Sequence, residues 1–296
     1  MKTSVRSRFM PASVLTLFAA GLLSAGGNGL RAQQPAGAAP ANPHAMHIQM
    51  DATPWAKEKL DKSPRHREWV SIKYGNRTVQ AFIVYPEVSH KAPVVIVIHE
   101  IFGLSDWARE LTDEIAAEGY IAIAPDLLSG MGPKGGGSSE FPDTDATVKA
   151  VSGLNPDTVT ADLDATADYA KKLPAANGKL AVTGFCWGGG TTNYLAVMLG
   201  ADLKAAAPYY GAAPTTSAVA DIKAPLLINY AENDDRINDM WPAFEGALKA
   251  AGAKYEMYKY PGTQHGFHNN STPRYQEAAA KLSWERMVGL FKKSLA

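Results

Sequence analysis

The stretch AVTGFCWGGG, residues 181–190, holds an apolar run, then Gly184, then the only cysteine of the chain two positions on, then three more glycines. The run, extended back as GKLAVTGF, predicts a strand, and Cys186 to Leu199 predicts a helix. Between them Gly184-Phe185-Cys186-Trp187-Gly188 fits G-x-C-x-G, a strained strand-to-helix turn. Glycine is a steric requirement there, because side chains two positions either side of the cysteine would collide with neighbouring backbone. Cys186 then stands at a helix N-terminus, where the dipole and free N–H groups favour a thiolate.

From about Arg67 onward short β-rich runs alternate with longer helical ones. REWVSIKYG and RTVQAFIVYPE, split by Tyr74-Gly75-Asn76, predict a leading antiparallel pair. APVVIVIHE, residues 92–100, is a continuous apolar run, as expected of a central strand covered on both faces. SDWARELTDEIAAEG follows with helical spacing, Ser105 as N-cap and Gly119 as the closing glycine. YIAIAPDLL is the next strand. SGMGPKGGGSSEFPD, residues 129–143, is rich in glycine with two prolines and predicts a mobile surface loop. Pro156 to Lys172 is helical, AAAPYYG and APLLINYAE are strands, and Trp241 to Ala251 is a helix. YEMYKYPG is the last strand, and STPRYQEAAAKLSWERMVGLFKK a long C-terminal helix. The alternation predicts an α/β fold: a mostly parallel central sheet with helices on both faces, one domain over residues 66–296. In such a sheet reactive groups belong on loops at the carboxyl ends of the strands.

The chain has 296 residues, 46% of them hydrophobic, enough for a substantial core. Lys plus Arg equals Asp plus Glu at 29 each, so no basic field recruits nucleic acid and a small molecule is the expected partner. Residues 1–32 read as a signal peptide, with Lys2, Arg6 and Arg8 ahead of the apolar Met10 to Ala25 and cleavage after Ala25 or Ala32. An uncleaved anchor is the alternative. Export, to the periplasm or as a secreted protein, is the consequence, with no stable membrane span after signal removal. Residues 33–65, rich in Ala, Pro and Gly, predict a flexible linker. His44 and His47 could share a helical face there, but without a third ligand no metal is expected. In an oxidising compartment an unpaired Cys186 is either a small buried hydrophobe or a reactive thiol.

A thiol nucleophile needs a base and an orienting acid. LLINYAE runs into Asn233-Asp234-Asp235, and YEMYKYPG runs into Thr263-Gln264-His265. Nucleophile, acid and histidine thus follow three successive strands, the chain order of an α/β-hydrolase triad. His265 is the expected base and His268 a surface neighbour. Asp234 is the preferred orienter, with Asp235 as alternative. Glu100, at the end of the central strand, needs a partner if buried, which marks it as functional or locked in a network. The N–H groups of Ile101 and Trp187 fall where oxyanion donors of such a site are found.

With HEIFG at 99–103, GFCWGG at 184–189, ENDDRI at 232–237 and PGTQHGF at 261–267, the chain resembles the dienelactone hydrolase family from about Arg67 to the C-terminal helix. The resemblance implies the α/β-hydrolase fold and a carboxymethylenebutenolidase-like ester, lactone or thioester hydrolase without cofactor or metal. It implies Cys186 as nucleophile, His265 as base, Asp234 as orienter, Glu100 as a buried group that helps activate the thiol, and Ile101 and Trp187 as oxyanion donors. One departure stands out. Family enzymes clamp a substrate carboxylate with arginines, one of them four residues after the histidine; here that position is Asn269, and no arginine lies between Arg109 and Arg236. Lys134, Lys149 or Arg274 could supply a cation, although solvated surface positions are expected for all three. Two rival readings are a secreted, non-catalytic ligand-binding protein that keeps the fold and a thiol-redox or metal-binding protein, the latter without any C-x-x-C pair.

Overall fold

Residues 92–98 show why the sheet sits where it does. Val94, Ile96 and Ile98 turn to one side and pack with Leu163, Leu195 and Phe244, while Val95 and Val97 turn to the other and pack with Leu111 and Phe291. A strand buried on both faces must be central, with helices covering both. The structure, a computed structural model, describes residues 54–296; the expected signal segment and His44 and His47 lie outside the described residues.

The described strands form one sheet in the order β1-β2-β4-β3-β5-β6-β7-β8. They are β1 (Arg67–Tyr74), β2 (Arg77–Val84), β3 (Ala92–Ile98), β4 (Ile121–Pro125), β5 (Ala176–Phe185), β6 (Leu203–Tyr209), β7 (Leu226–Asn233) and β8 (Tyr255–Gln264). β1 and β2 pair antiparallel, β2 pairs antiparallel with β4, and every pairing from β4 to β8 is parallel. The expected α/β fold is therefore present. β3 and β5 run side by side with Ile98 opposite Gly184, which brings His99-Glu100 and Cys186 to the same edge of the sheet.

The helices are α1 (Trp55–Lys62), α2 (Asp106–Ala117), α3 (Thr144–Ser152), α4 (Pro156–Lys172), α5 (Trp187–Leu199), the short α6 (Asp235–Asn238), α7 (Trp241–Ala250) and α8 (Glu277–Leu295). Ser105 caps α2 as expected, its side chain accepting from Ala108 N–H, and Gly119 follows the helix with φ +95°.

Two segments differ from expectation. Residues 55–62, within the expected linker, form α1 with Ala56 and Leu60 buried. Lys59 Nζ reaches Glu110 and Glu114 of α2 at 2.7 and 3.0 Å, and Arg65 and Ser63 both bond Asp113. The described part of that segment is thus docked, because an amphipathic turn found a helix face to cover. The 129–143 loop is likewise tied down. Glu140 accepts the N–H groups of Lys134 and Gly136 at 2.9 Å each, and Asp126 accepts Ser138 N–H at 2.7 Å.

Candidate active site

The turn after β5 is as tight as its glycines predict. A Cβ on Gly188 would meet the carbonyls of Ile98 and His99, and one on Gly184 would meet the Gly188 carbonyl. Helix α5 therefore starts pressed against the end of β3. Cys186 itself has φ +57°, a left-handed conformation that costs an L residue on the order of 1–3 kcal/mol. It is held by its N–H donating to Tyr209 O at 3.1 Å, and its carbonyl accepts Gly189 N–H at 3.0 Å. The helix proper begins at Trp187, leaving Cys186 as its half-buried cap residue.

The end of β8 brings His265 to this point. Its Nδ1 lies 2.6 Å from Asp234 Oδ2, and Cys186 is near enough for its charge to act on the ring. Of the two candidate acids, Asp234 is buried and faces the histidine, whereas Asp235 opens α6 and is exposed. Burial works against a charged imidazole here. The charge of Cys186 and the hydrogen bond that the ring donates to Asp234 outweigh it and hold His265 up at about 10.

Glu100 is buried, at 4% exposure, and both of its carboxylate oxygens are held. Asn269 Nδ2 donates to Oε2 at 2.7 Å, and the Tyr210 hydroxyl donates to Oε1 at 3.4 Å. Asn269 is fixed in turn, its Oδ1 accepting both the N–H and the hydroxyl of Ser271. At the position where the family carries an arginine there is thus a neutral amide whose Nδ2 donates to Glu100 and whose Oδ1 is taken by Ser271. Burial and the charges of Glu100 and Cys186 push Tyr210 well above the usual phenol value, so its hydroxyl stays a donor.

The carbonyl of Glu100 accepts Gly103 N–H at 3.2 Å and lies 2.7 Å from His99 Nδ1. Burial drives His99 down, against the opposing charge of Asp126, so the ring is neutral and Nδ1 carries the proton. His99 also stacks on Trp187 at 5.7 Å. The backbone N–H groups of Ile101 and Trp187 take no part in the hydrogen bonds that hold these two turns.

Tyr210 was not singled out by the sequence, although AAAPYYG ends at the same edge of the sheet as the other strands. It carries φ +36°, donates its N–H to Asn229 O at 2.7 Å, and lies 5.0 Å from the His265 ring. His268, expected at the surface, is instead buried against Phe185, Tyr209 and Trp284. The short turn after His265 folds back under the sheet edge and carries His268 inward. Lys134 and Lys149 are exposed as expected, but Arg274 is half-buried with its guanidinium beside Gly266. Among the described residues no group of three or more His, Cys, Asp or Glu side chains is placed to hold a metal ion.

Comparison with known proteins agrees with this arrangement. The sequence profile of the dienelactone hydrolase family matches residues 79–295. A Salmonella typhi protein named "Putative carboxymethylenebutenolidase" is 35% identical over 234 residues, covering 75% of this chain and 85% of its own. A Synechocystis protein of the same name is 31% identical over 250 residues, covering 76% of this chain and 96% of its own. The crystal structure of a Klebsiella pneumoniae protein described as a "Putative Dienelactone Hydrolase" superposes with a TM-score of 0.69 at 32% identity, over 77% of this chain and 99% of that one. With the profile spanning most of the sheet and every strand end described above, the chain belongs to the dienelactone hydrolase family.

Proposed function

We propose that this protein is a cofactor-free hydrolase of small esters, lactones or thioesters that works through a Cys186, His265, Asp234 triad. The observation that carries the reading is His265, bonded to Asp234 at 2.6 Å and acted on by the charge of Cys186.

A thiolate at Cys186 attacks the substrate carbonyl, forming the C–S bond while the carbonyl oxygen becomes an oxyanion. The N–H groups of Ile101 and Trp187 stabilise that charge as it develops. The C–O or C–S bond to the leaving group then breaks, and His265, held as imidazolium, supplies its proton. Neutral His265 next takes a proton from water, whose oxygen attacks the acyl carbon and returns the thiolate. Asp234 keeps the imidazole oriented throughout. Glu100 tunes the thiol through its charge, which the Asn269 amide and Tyr210 hydroxyl hold in place.

Asn269 bears on substrate choice. A neutral amide committed to Glu100 offers no bidentate clamp to a carboxylate, which favours uncharged acyl substrates over a dienelactone. The expected export of the chain by its N-terminal segment places this activity in the periplasm or outside the cell.

The test is turnover of an activated ester such as p-nitrophenyl acetate before and after iodoacetamide, alongside Cys186→Ala. Activity should fall by at least about a thousandfold in both cases, as for loss of a triad nucleophile. Retained turnover in Cys186→Ala would sink the assignment.

A further inference from the structure

The glycine-rich loop at 129–143 carries one side chain that reaches the candidate site's backbone. Ser138 Oγ accepts the N–H of Leu104 at 2.9 Å and donates to Asp126 Oδ1 at 2.7 Å. The Ser138 N–H donates to Asp126 Oδ2 at 2.7 Å, and Leu128 N–H donates to Oδ1 at 3.1 Å. Asp126 is itself buried, at 4% exposure, directly after β4. Its carboxylate thus fixes Ser138 at two points, and Ser138 fixes Leu104.

Leu104 ends the turn that begins at Glu100. Inside that turn Gly103 has φ +68°, and a Cβ there would fall within 2.9 Å of Ser138 Cβ and 3.1 Å of a Thr147 methyl. The loop therefore packs on the turn as well as bonding it. At the other end Glu100 is held by Asn269, by Tyr210 and, through its carbonyl, by the Gly103 N–H and His99. Ile101 lies between these two anchorages. A backbone N–H donor to a developing oxyanion is effective only when held within tenths of an ångström, since the gain comes from dipoles that need not reorganise.

We propose that Ser138, clamped by Asp126, is a positioning residue that sets the Ile101 N–H for oxyanion binding. The inference rests on the reading of Ile101 as an oxyanion donor. It assigns a catalytic consequence to a loop whose composition suggests only mobility.

The experiment separates steps that use an oxyanion from steps that do not. Alkylation of Cys186 by iodoacetamide displaces iodide from an sp³ carbon and forms no oxyanion, whereas ester turnover does. Ser138→Ala should lower kcat for p-nitrophenyl acetate about ten- to a hundredfold, with KM and the alkylation rate within about twofold of the parent. Asp126→Asn, which places an amide N–H against the Ser138 N–H, should show the same split, and it serves if Ser138→Ala does not fold. Ser139→Ala, on an exposed neighbour in the same loop, should leave all three quantities unchanged. An unchanged kcat in Ser138→Ala would overturn the proposal, as would a rise in KM alone or a parallel loss of turnover and alkylation. If Cys186→Ala keeps its activity the hydrolytic reading fails; if only Ser138→Ala keeps it, that reading stands and this one falls.

Discussion

His265 and His268 are three residues apart, and their surroundings drive them in opposite directions. His268 is buried and His265 partly so, and burial alone pushes an imidazole toward its neutral form. Around His268 there are aromatic rings and no charged partner, and it is driven down to about 4. Around His265 the Cys186 charge and the Asp234 carboxylate reverse the effect of burial and hold it at about 10, against an ordinary 6.5. A folded value above the unfolded one means the interaction contributes fully below about pH 6.5 and is lost as pH rises through about 10. An NMR titration of the His265 ring in the free protein should therefore show a midpoint near 10, displaced downward in Cys186→Ala and in Asp234→Asn. A midpoint near 6.5 in the parent would remove the imidazolium from the proposed cycle.

At the scale of elements, α1 shows how a short helix is stabilised from outside. Its eight residues are too few to be helical alone, and no side chain caps its start. What holds it is Leu60, packed into the core layer that includes α2 and α8, together with the Lys59 and Arg65 bonds to α2. Leu60→Ala should cost about 2–3 kcal/mol, read as a lower midpoint in chemical denaturation, while the iodoacetamide rate at Cys186 stays unchanged in native buffer. An undiminished midpoint would mean that the polar contacts alone dock the helix. The same element explains which parts of the fold were legible. Strands β3 to β8 could be read because their signal is local: apolar runs whose ends carry His99-Glu100, Cys186, Asp234 and His265. Helix α1 could not, because it is fixed by a partner far along the chain, Glu110 for Lys59, and the 129–143 loop could not, because its ties are single carboxylates, Asp126 just before it and Glu140 within it, that no periodicity marks. Composition registers only that such segments lack a core of their own. Tyr210 escaped notice for a related reason: nothing in AAAPYYG distinguishes a tyrosine that packs from one that grips Glu100.

Across the whole molecule, the parallel sheet gathers at one edge groups that are far apart in sequence, and its stability follows the titration of those groups. His268 lies under that edge, on the same turn as Asn269, and must stay neutral to remain among Phe185, Tyr209 and Trp284. With a folded value near 4 and an ordinary value of 6.5, the unfolded chain binds the extra proton between these pH values. Stability must then fall as pH drops from about 6.5 and level off below about 4, as far as this residue is concerned. His265 acts in the other direction, withdrawing its contribution as pH climbs toward 10. Taken by themselves, these two residues favour the fold most near pH 6.5, with a limb on each side. The acid limb can be isolated, because His268→Phe keeps a ring of similar size in the aromatic cluster while removing the proton site. Denaturant midpoints measured from pH 7 to pH 4 should decline less steeply in His268→Phe than in the parent, while the alkaline limb, set by His265, keeps its slope. Identical acid limbs would mean that the ring at 268 reaches water and takes up its proton without leaving the fold.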